Sequence, residues 1–459
     1  MSSNVNSGAP LTRTLGFWAI WAVGTGAVVG DGIFLYSSAA IGHAGPAAML
    51  AFLFAGLSQM AIMVSMGEIS VGMPSSGGPT LWVEKYLGRF WGMLSGMTFS
   101  IGWVVIGGSV SVALGRLFCY WTPGIDLEVG TILWAAIWFT IFTVLNIVGV
   151  SWMGQAQLAL TGLLIAIMVG FGLGGVMRGL NYDLFTPFAP YGFGGITRAV
   201  PIAVYAYMGA SCICFTGSEC KKPVDLGRAL VWSSITFIVV YSVAMLVIIG
   251  NIHYSEASYS MSPFVLAAEV VFGPAGGWVL NLAATLAAAT CIISGNIYTP
   301  SRTLYAMSIK GYLPKFIGSV NKVTKTPINS ILIIWAAGML GIGIAANAGA
   351  MDFYEFLSNQ AVLAWILSWT LSIIAGMKYR QEMGVDRIRK EVGWKQPMYP
   401  VIPIVAILAC VYCAYLSFYD IWQVVGVAVW LGLYGLYYLN VNSKIKKGLI
   451  DPDINFDQI

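Results

Sequence analysis

The stretch GTGAVVGDGIF, residues 24–34, decides how this chain is read. It lies in an apolar run long enough to cross a membrane, yet it holds four glycines and one carboxylate, Asp31. Glycine weakens a helix, and an acid at membrane depth is costly. A glycine-rich nucleotide-binding loop is excluded by context, because no strand precedes the stretch and its surroundings are span-like. The reason for both residue types in one place has to come from the rest of the chain.

Of the 459 residues, 58% are hydrophobic and only 9% charged, where a soluble domain carries about 25% charged residues. The bulk of the chain is therefore solvated by lipid. The first fifteen residues are small and polar and the run after them is too long for a signal h-region, so no cleavable signal peptide is expected. The seven cysteines lie mostly in apolar runs and read as small packing residues. Two histidines, His43 and His253, do not supply a multi-histidine metal site, so no metal is expected. No cofactor and no nucleic-acid partner are expected either.

Twelve stretches meet the requirement of about 20 apolar residues: roughly 16–41, 46–72, 90–118, 129–149, 153–176, 195–217, 229–251, 275–305, 328–348, 353–376, 399–417 and 419–441. With both termini on one side, that side collects 20 of the 23 lysines and arginines, leaving only Arg116, Arg178 and Arg198 opposite. Basic residues stay cytoplasmic, so both termini are expected in the cytoplasm of a multi-pass plasma-membrane protein. The organisation follows: an N-terminal segment 1–15, a core 16–377, a basic cytoplasmic loop 378–398, two further spans over 399–442 and a tail 443–459.

The first span is interrupted at Gly24, Gly26, Gly30 and Gly32, and the sixth around YMGASCICFTGSE, with Gly209 and Gly217. The five-span offset between them is what an inverted repeat of spans 1–5 and 6–10 produces. Paired glycine-interrupted spans in matching positions point to a transporter's binding site, where unwound backbone lines a polar cavity because lipid cannot satisfy it. The competing reading of Gly26 and Gly30 is a small-xxx-small packing stripe.

Four stretches carry a resemblance. GAVVGDGIF resembles the first-span motif of the amino acid–polyamine–organocation (APC) transporters. GEISVGMPSSGGPTLWVEKYLGRFWG resembles their second span and following loop, at Glu68, Pro74, Gly77 and Gly78. YAYMGASCICFTGSECKKPVDLGRAL is similar to the sixth span with its Glu219 and Pro223 tail, and SRTLYAMSIKGYLPKFIGSVNKVTKTPINS to the stretch after the eighth. The resemblance implies an all-α LeuT-type five-plus-five inverted repeat with two extra helices. It also implies a substrate site between spans 1, 3, 6, 8 and 10, alternating access, and amino acid or organic amine substrates driven by protons, sodium or exchange. Three departures stand out. Leu164 aligns where some members carry a coupling lysine. Tyr205 and Ser211 stand where amine exchangers carry a tryptophan and a glutamate. Asp31 replaces the usual serine or threonine.

Asp31 has three readings: a cap for the half-helix starting at Gly32, a counter-ion for a substrate amine, or a proton carrier whose pKa burial raises. A fixed carboxylate repels a substrate carboxylate in a low dielectric, which leans the substrate class towards amines. Around it, Ala27, Gly30, Gly32 and Ile33 are candidate substrate contacts. So are Tyr205 and Tyr207, either of which can cover a cation, and Gly209, Ser211 and Cys212 after the sixth-span break. Asn296 and Gln360 are amides that either bind substrate or bridge helices. Trp103 either anchors at the lipid interface, the default in a chain with 17 tryptophans, or lines the path; Glu68 and Glu219 are read as structural or gating partners of basic residues such as Arg302 or Lys222, and the 378–398 loop as a topology determinant.

A secondary transporter of amino acids or organic amines is the leading expectation. An intramembrane enzyme lacks facing acids, a Ser/His set or metal ligands, and a channel lacks a filter repeated about an axis. A transporter-like nutrient sensor needs a signalling domain or long tail, and the C-terminal tail is short.

Overall fold

A computed structural model of the chain describes residues 11–450 except 261, 348–349 and 419; the side chains of residues 31, 346–347 and 350–355 also lie outside the described set. Residues 1–10 of the N-terminal segment and 451–459 of the tail are thus not described. In chain order the helices are α1 (Phe17–Val28), α2 (Asp31–Ala44), α3 (Ala48–Gly72), α4 (Pro79–Leu87), α5 (Arg89–Cys119), α6 (Leu127–Val148), α7 (Val150–Arg178), α8 (Gly192–Ala206) and α9 (Val224–Ile249). They continue with α10 (Tyr254–Tyr259), α11 (Pro263–Phe272), α12 (Pro274–Cys291), α13 (Thr299–Ile309), α14 (Ile328–Asn347), α15 (Ala350–Met383), α16 (Val385–Arg387), α17 (Val401–Ser417) and α18 (Ile421–Lys446). Among the described residues the only strand-type pairing is an isolated bridge of Leu15 with Cys220.

Among the described residues, ten helical stretches are long and apolar enough to cross a bilayer. The first, Phe17–Gly72, runs through α1, α2 and α3, and α17 is a shorter apolar helix. The outer surface is apolar, as lipid requires: Trp422, Leu433 and Leu436 of α18 are exposed.

The two ends of the bundle are tied separately. At one end the Glu84 carboxylate meets Lys310 Nζ at 3.2 Å, Lys378 Nζ donates to the Tyr86 carbonyl at 3.2 Å, and the Thr14 and Leu15 amides donate to the Glu219 carbonyl. At the other, Arg178 Nη1 donates to the Val271 carbonyl at 2.7 Å and the Ala47 amide to that of Phe188 at 2.8 Å. This is the division the basic residues make in sequence.

Both expected helix breaks are present. α1 stops at Val28, Val29 leaves helical geometry (φ −77°, ψ 78°), Gly30 is extended and α2 begins at Asp31. α8 stops at Ala206, and after Tyr207 and Met208 the chain turns at Gly209 into a 3₁₀ segment, Ala210–Phe215. A third irregularity was not expected: span 8 passes from α12 to α13 through a π-helical stretch, Ile292–Tyr298, a feature frequent at functional sites.

Candidate binding site at the two helix breaks

The breaks touch. Gly209 has φ 135°, and a Cβ there would collide with the Ala27 carbonyl group, so close approach and torsion both demand glycine. The glycines of α1 and α2 are seats. A Cβ at Gly30 would lie 3.1 Å from Cys291 Cβ, one at Gly32 3.0 Å from Ala206 Cα, and one at Gly26 would strike Gln157 and Thr161. Gly30 has an ordinary φ of −114°; its smallness serves packing.

Between the breaks lies a cavity of about 10 Å³, room for roughly one water. Of the sequence candidates, Ala27, Gly30, Gly32, Trp103 and Tyr205 line it. Val28, Ile106, Ala206, Met208, Cys291 and Trp365 line it too and were not singled out. The π-helical stretch that follows Cys291 and the Trp365 turn of α15 carried no sequence signal separating them from other apolar span residues.

The remaining candidates sit elsewhere. Ile33 is buried outside the lining. Tyr207 turns away from the cavity into an aromatic cluster with Phe237 and Tyr241, ring centroids 5.4 and 4.9 Å away. Ser211 Oγ accepts from Trp369 Nε1 at 3.1 Å, and Cys212 is fully buried. Asn296 bridges helices, donating through Nδ2 to the Trp103 carbonyl at 2.7 Å. Gln360 is engaged at α18, donating to Gln423 Oε1 at 2.6 Å and accepting from Trp430 Nε1 at 3.2 Å. Gly30, not Asp31, occupies the cap position of α2; Asp31 is its first residue, and the Asp31 side chain lies outside the described residues. An acid in a first turn still faces the positive end of the helix dipole.

Two positioning residues emerge from the structure. Tyr241 of α9 directs its hydroxyl at the carbonyls of Val28 (2.9 Å) and Ala206 (3.2 Å), the last residues of α1 and α8. One phenol O–H is thus shared between end carbonyls of both broken helices. Gln157 Nε2 reaches the Ala22 carbonyl (3.3 Å) on α1, and the Thr290 carbonyl (3.1 Å) and Ser294 Oγ (3.2 Å) of span 8. Thr161 Oγ1 donates to the same Ala22 carbonyl at 3.4 Å. Leu164, one turn on, is fully buried. An amide and a hydroxyl four residues apart in an apolar span were the available signal for this pair.

The cavity is closed on both sides. Towards the basic end, Glu219 takes a two-point contact from Arg302 (Nη2–Oε1 2.9 Å, Nε–Oε2 3.3 Å) and accepts from the Tyr298 hydroxyl, with the ion pair fully buried. Glu219 thus has the Arg302 partner the sequence suggested. Glu68 pairs with Arg380 at 2.8 Å and accepts the Gln396 amide at 2.9 Å. The 378–398 segment is docked: Trp394 fills the slot left by Gly67 of α3 and Gly227 of α9. Towards the other end, Tyr205 separates the cavity from a vestibule of about 370 Å³ bordered by Tyr36, His43, Arg198 and Ser358. The Tyr36 ring lies 5.2 Å from that of Tyr205, and its hydroxyl is 3.2 Å from Ser358 Oγ. Among the described residues no cluster of His, Cys, Asp or Glu could hold a metal.

The model of the amino acid permease family matches residues 20–445. The chain belongs to that family, within the APC superfamily, and is a transporter rather than an enzyme. It is 27% identical over 392 residues to an uncharacterized amino acid permease of Bacillus subtilis, covering 82% of each chain. It is 26% identical over 401 residues to the aromatic amino acid transport protein AroP of Escherichia coli K12, covering 84% of this chain and 86% of that one. With the gamma-aminobutyric acid permease of the same strain it shares 25% over 391 residues, 81% of each.

Proposed function

We propose that this permease is a secondary transporter that moves a small amine-bearing substrate across the plasma membrane by alternating access, with Asp31 as counter-ion to the amine. One observation carries the reading: a cavity where two broken helices cross, closed by a buried ion pair on one side and a tyrosine layer on the other. Such a site opens alternately by moving one closure at a time. Reading Phe17–Gly72 as two spans and α17 as another brings the count to twelve, with both termini cytoplasmic and spans 1–5 and 6–10 as a LeuT-type inverted repeat. The basic end is then the cytoplasmic one. Asp31 opens α2 between two cavity-lining glycines, where a carboxylate fixed in the protein leaves no place for one on the substrate.

A second reading is favoured by the names of the relatives, which are permeases of amino acids and gamma-aminobutyric acid. In it the substrate is an ordinary zwitterionic amino acid and Asp31 is a first-turn acid or a proton carrier. A transporter-like sensor is the reading left if binding occurs without flux. Coupling to protons or sodium belongs with either transport reading.

Uptake into proteoliposomes, run with amino acids and their decarboxylated amines, separates these. Under the amine reading Asp31→Asn lowers amine uptake at least about tenfold, the worth of one charge-assisted contact. Retained amine uptake by Asp31→Asn, or thermal stabilisation of the wild type by carboxylate-bearing ligands alone, overturns it in favour of the zwitterion. An imposed proton or sodium gradient in the same vesicles identifies the coupling ion.

A further inference from the structure

We propose that a second cavity, at the basic end and apart from the substrate site, binds the phosphate group of an anionic ester. It measures about 550 Å³, against about 10 Å³ at the helix breaks. Its walls come from the end of α3, the turn that carries Lys221 and Lys222 into α9, and the end of α15 with the segment after it. Both lysines line the cavity and are exposed, and among the described residues neither ammonium has an ion-pair partner. Their backbone is pinned: the Lys221 amide donates to the Leu15 carbonyl and the Lys222 carbonyl accepts the Asp225 amide, each at 2.9 Å. The two charges therefore stand on a fixed turn. The nearby acids are already engaged. Glu391, in the wall, has both oxygens 3.3 Å from Arg387, and Asp225, in the first turn of α9, lies 3.9 Å from Arg228.

Two neutral donors share the cavity. Tyr379 is only 3% exposed, and its hydroxyl lies against Gly72, where a Cβ would collide with it; both residues line the cavity. That hydroxyl makes no hydrogen bond to a described residue. The amide of Val224, the first residue of the 26-residue α9 and also in the wall, has no acceptor among the described residues. The start of a helix favours an anion through such free amides and its dipole. Two ammoniums, a phenol and an amide, drawn from three parts of the chain, outnumber the two oxygens of a carboxylate. A phosphate offers at least three strong acceptor oxygens and takes charge-assisted bonds from lysine. Val71, Pro74 and Met383 give the ester's organic part an apolar wall. A soluble phosphate ester and the head group of an anionic lipid share this chemistry.

The test is thermal unfolding of the full chain in detergent, titrated with glycerol phosphate in one arm and phosphatidylglycerol in the other, with glycerol and zwitterionic phosphatidylcholine as controls. A ligand that joins the end of α15 to the Lys221 turn raises the unfolding temperature, and the rise tracks its affinity. The wild type is expected to gain several degrees from a phosphate anion and nothing from the controls. Stabilisation by glycerol phosphate assigns the site to a soluble ester; stabilisation by phosphatidylglycerol alone assigns it to a lipid head group. Lys221→Gln with Lys222→Gln weakens the effective ligand at least about tenfold, the worth of one lost charge-assisted contact. Arg389→Gln with Lys390→Gln removes the same charge from exposed positions outside the wall and leaves the affinity unchanged. If the lysine double variant is itself unstable, Tyr379→Phe decides, with a loss of about tenfold expected for one hydrogen bond to a charged group. No stabilisation by either anion, equal stabilisation by phosphatidylcholine, or equal losses in the two double variants overturns the proposal, the last by reducing it to general surface charge.

Discussion

Gly209 shows how much can hang on one residue. It has φ 135°, and its missing Cβ is what lets the second break lie against the Ala27 carbonyl. Gly209→Ala is expected to cost at least about 2 kcal/mol, from strain plus the backbone shift, read as a lower unfolding temperature in detergent. Gly30→Ala is milder, because its φ is ordinary and the neighbouring Cys291 side chain has only to give a few tenths of an ångström. At the basic end Cys220 is 1% exposed and its Sγ donates to the Lys222 carbonyl at 2.9 Å. Burial pushes this thiol up to about 11, above the ordinary value near 8.5. The raised pKa keeps it protonated at pH 8, so the native protein resists maleimide at Cys220 while the denatured chain labels readily; mass spectrometry of the alkylated site reads the difference.

At the scale of elements, the site depends on holding two short helix ends together. Tyr241 does this by bonding to the end carbonyls of both α1 and α8. Tyr241→Phe removes that donor, leaving the Val28 carbonyl with the Gly30 amide alone (2.8 Å) and the Ala206 carbonyl without the phenol, a loss of about 1 kcal/mol and several-fold in initial uptake rate at matched expression. Tyr207→Phe is the control. The Tyr207 hydroxyl is buried with no partner among the described residues, so its removal is expected to leave stability unchanged or raise it. Equal losses in the two variants would show that the Tyr241 bond to the helix ends is not what matters. The breaks themselves were legible in the sequence, because a cluster of glycines weakens the helix locally wherever the run around it is apolar. The contacts that Tyr241 and Gln157 make were not legible. One is a tyrosine among 22 and the other an amide on a face whose partner helix only the fold supplies.

For the whole molecule, the question is what holds one side shut. Glu219 and Arg302 are both fully buried, with Tyr298 as third partner. Removing one member of such a pair leaves a charge uncompensated, at a cost of about 3–5 kcal/mol. Arg302→Gln is therefore expected to shift the population towards states open at the basic end. With the other cysteines replaced, Cys291 in the cavity becomes more reactive to a membrane-impermeant thiol reagent applied from that end; unchanged reactivity would mean that the pair is not part of the closure. The 378–398 segment, read from sequence as an orienting loop, is also a packed element, with Trp394 seated between α3 and α9 and the Gln396 amide bound to Glu68.

The sequence by itself determined the helical character, the separation of basic residues to one end, the two broken spans and the family, because hydrophobic length, charge placement and glycine position act locally along the chain. Only the tertiary structure decided which residues face the cavity. Tyr205 and Tyr207 are two positions apart, on either side of the end of α8, and one lines the cavity while the other packs in the core. Trp365 and Cys291 entered the lining, while Gln360 was drawn to α18 and Asn296 to the Trp103 carbonyl. In a chain that is apolar on every side, composition does not mark the inner face of a helix. That face is set by which neighbour each side chain meets, and the neighbours come from spans hundreds of residues away.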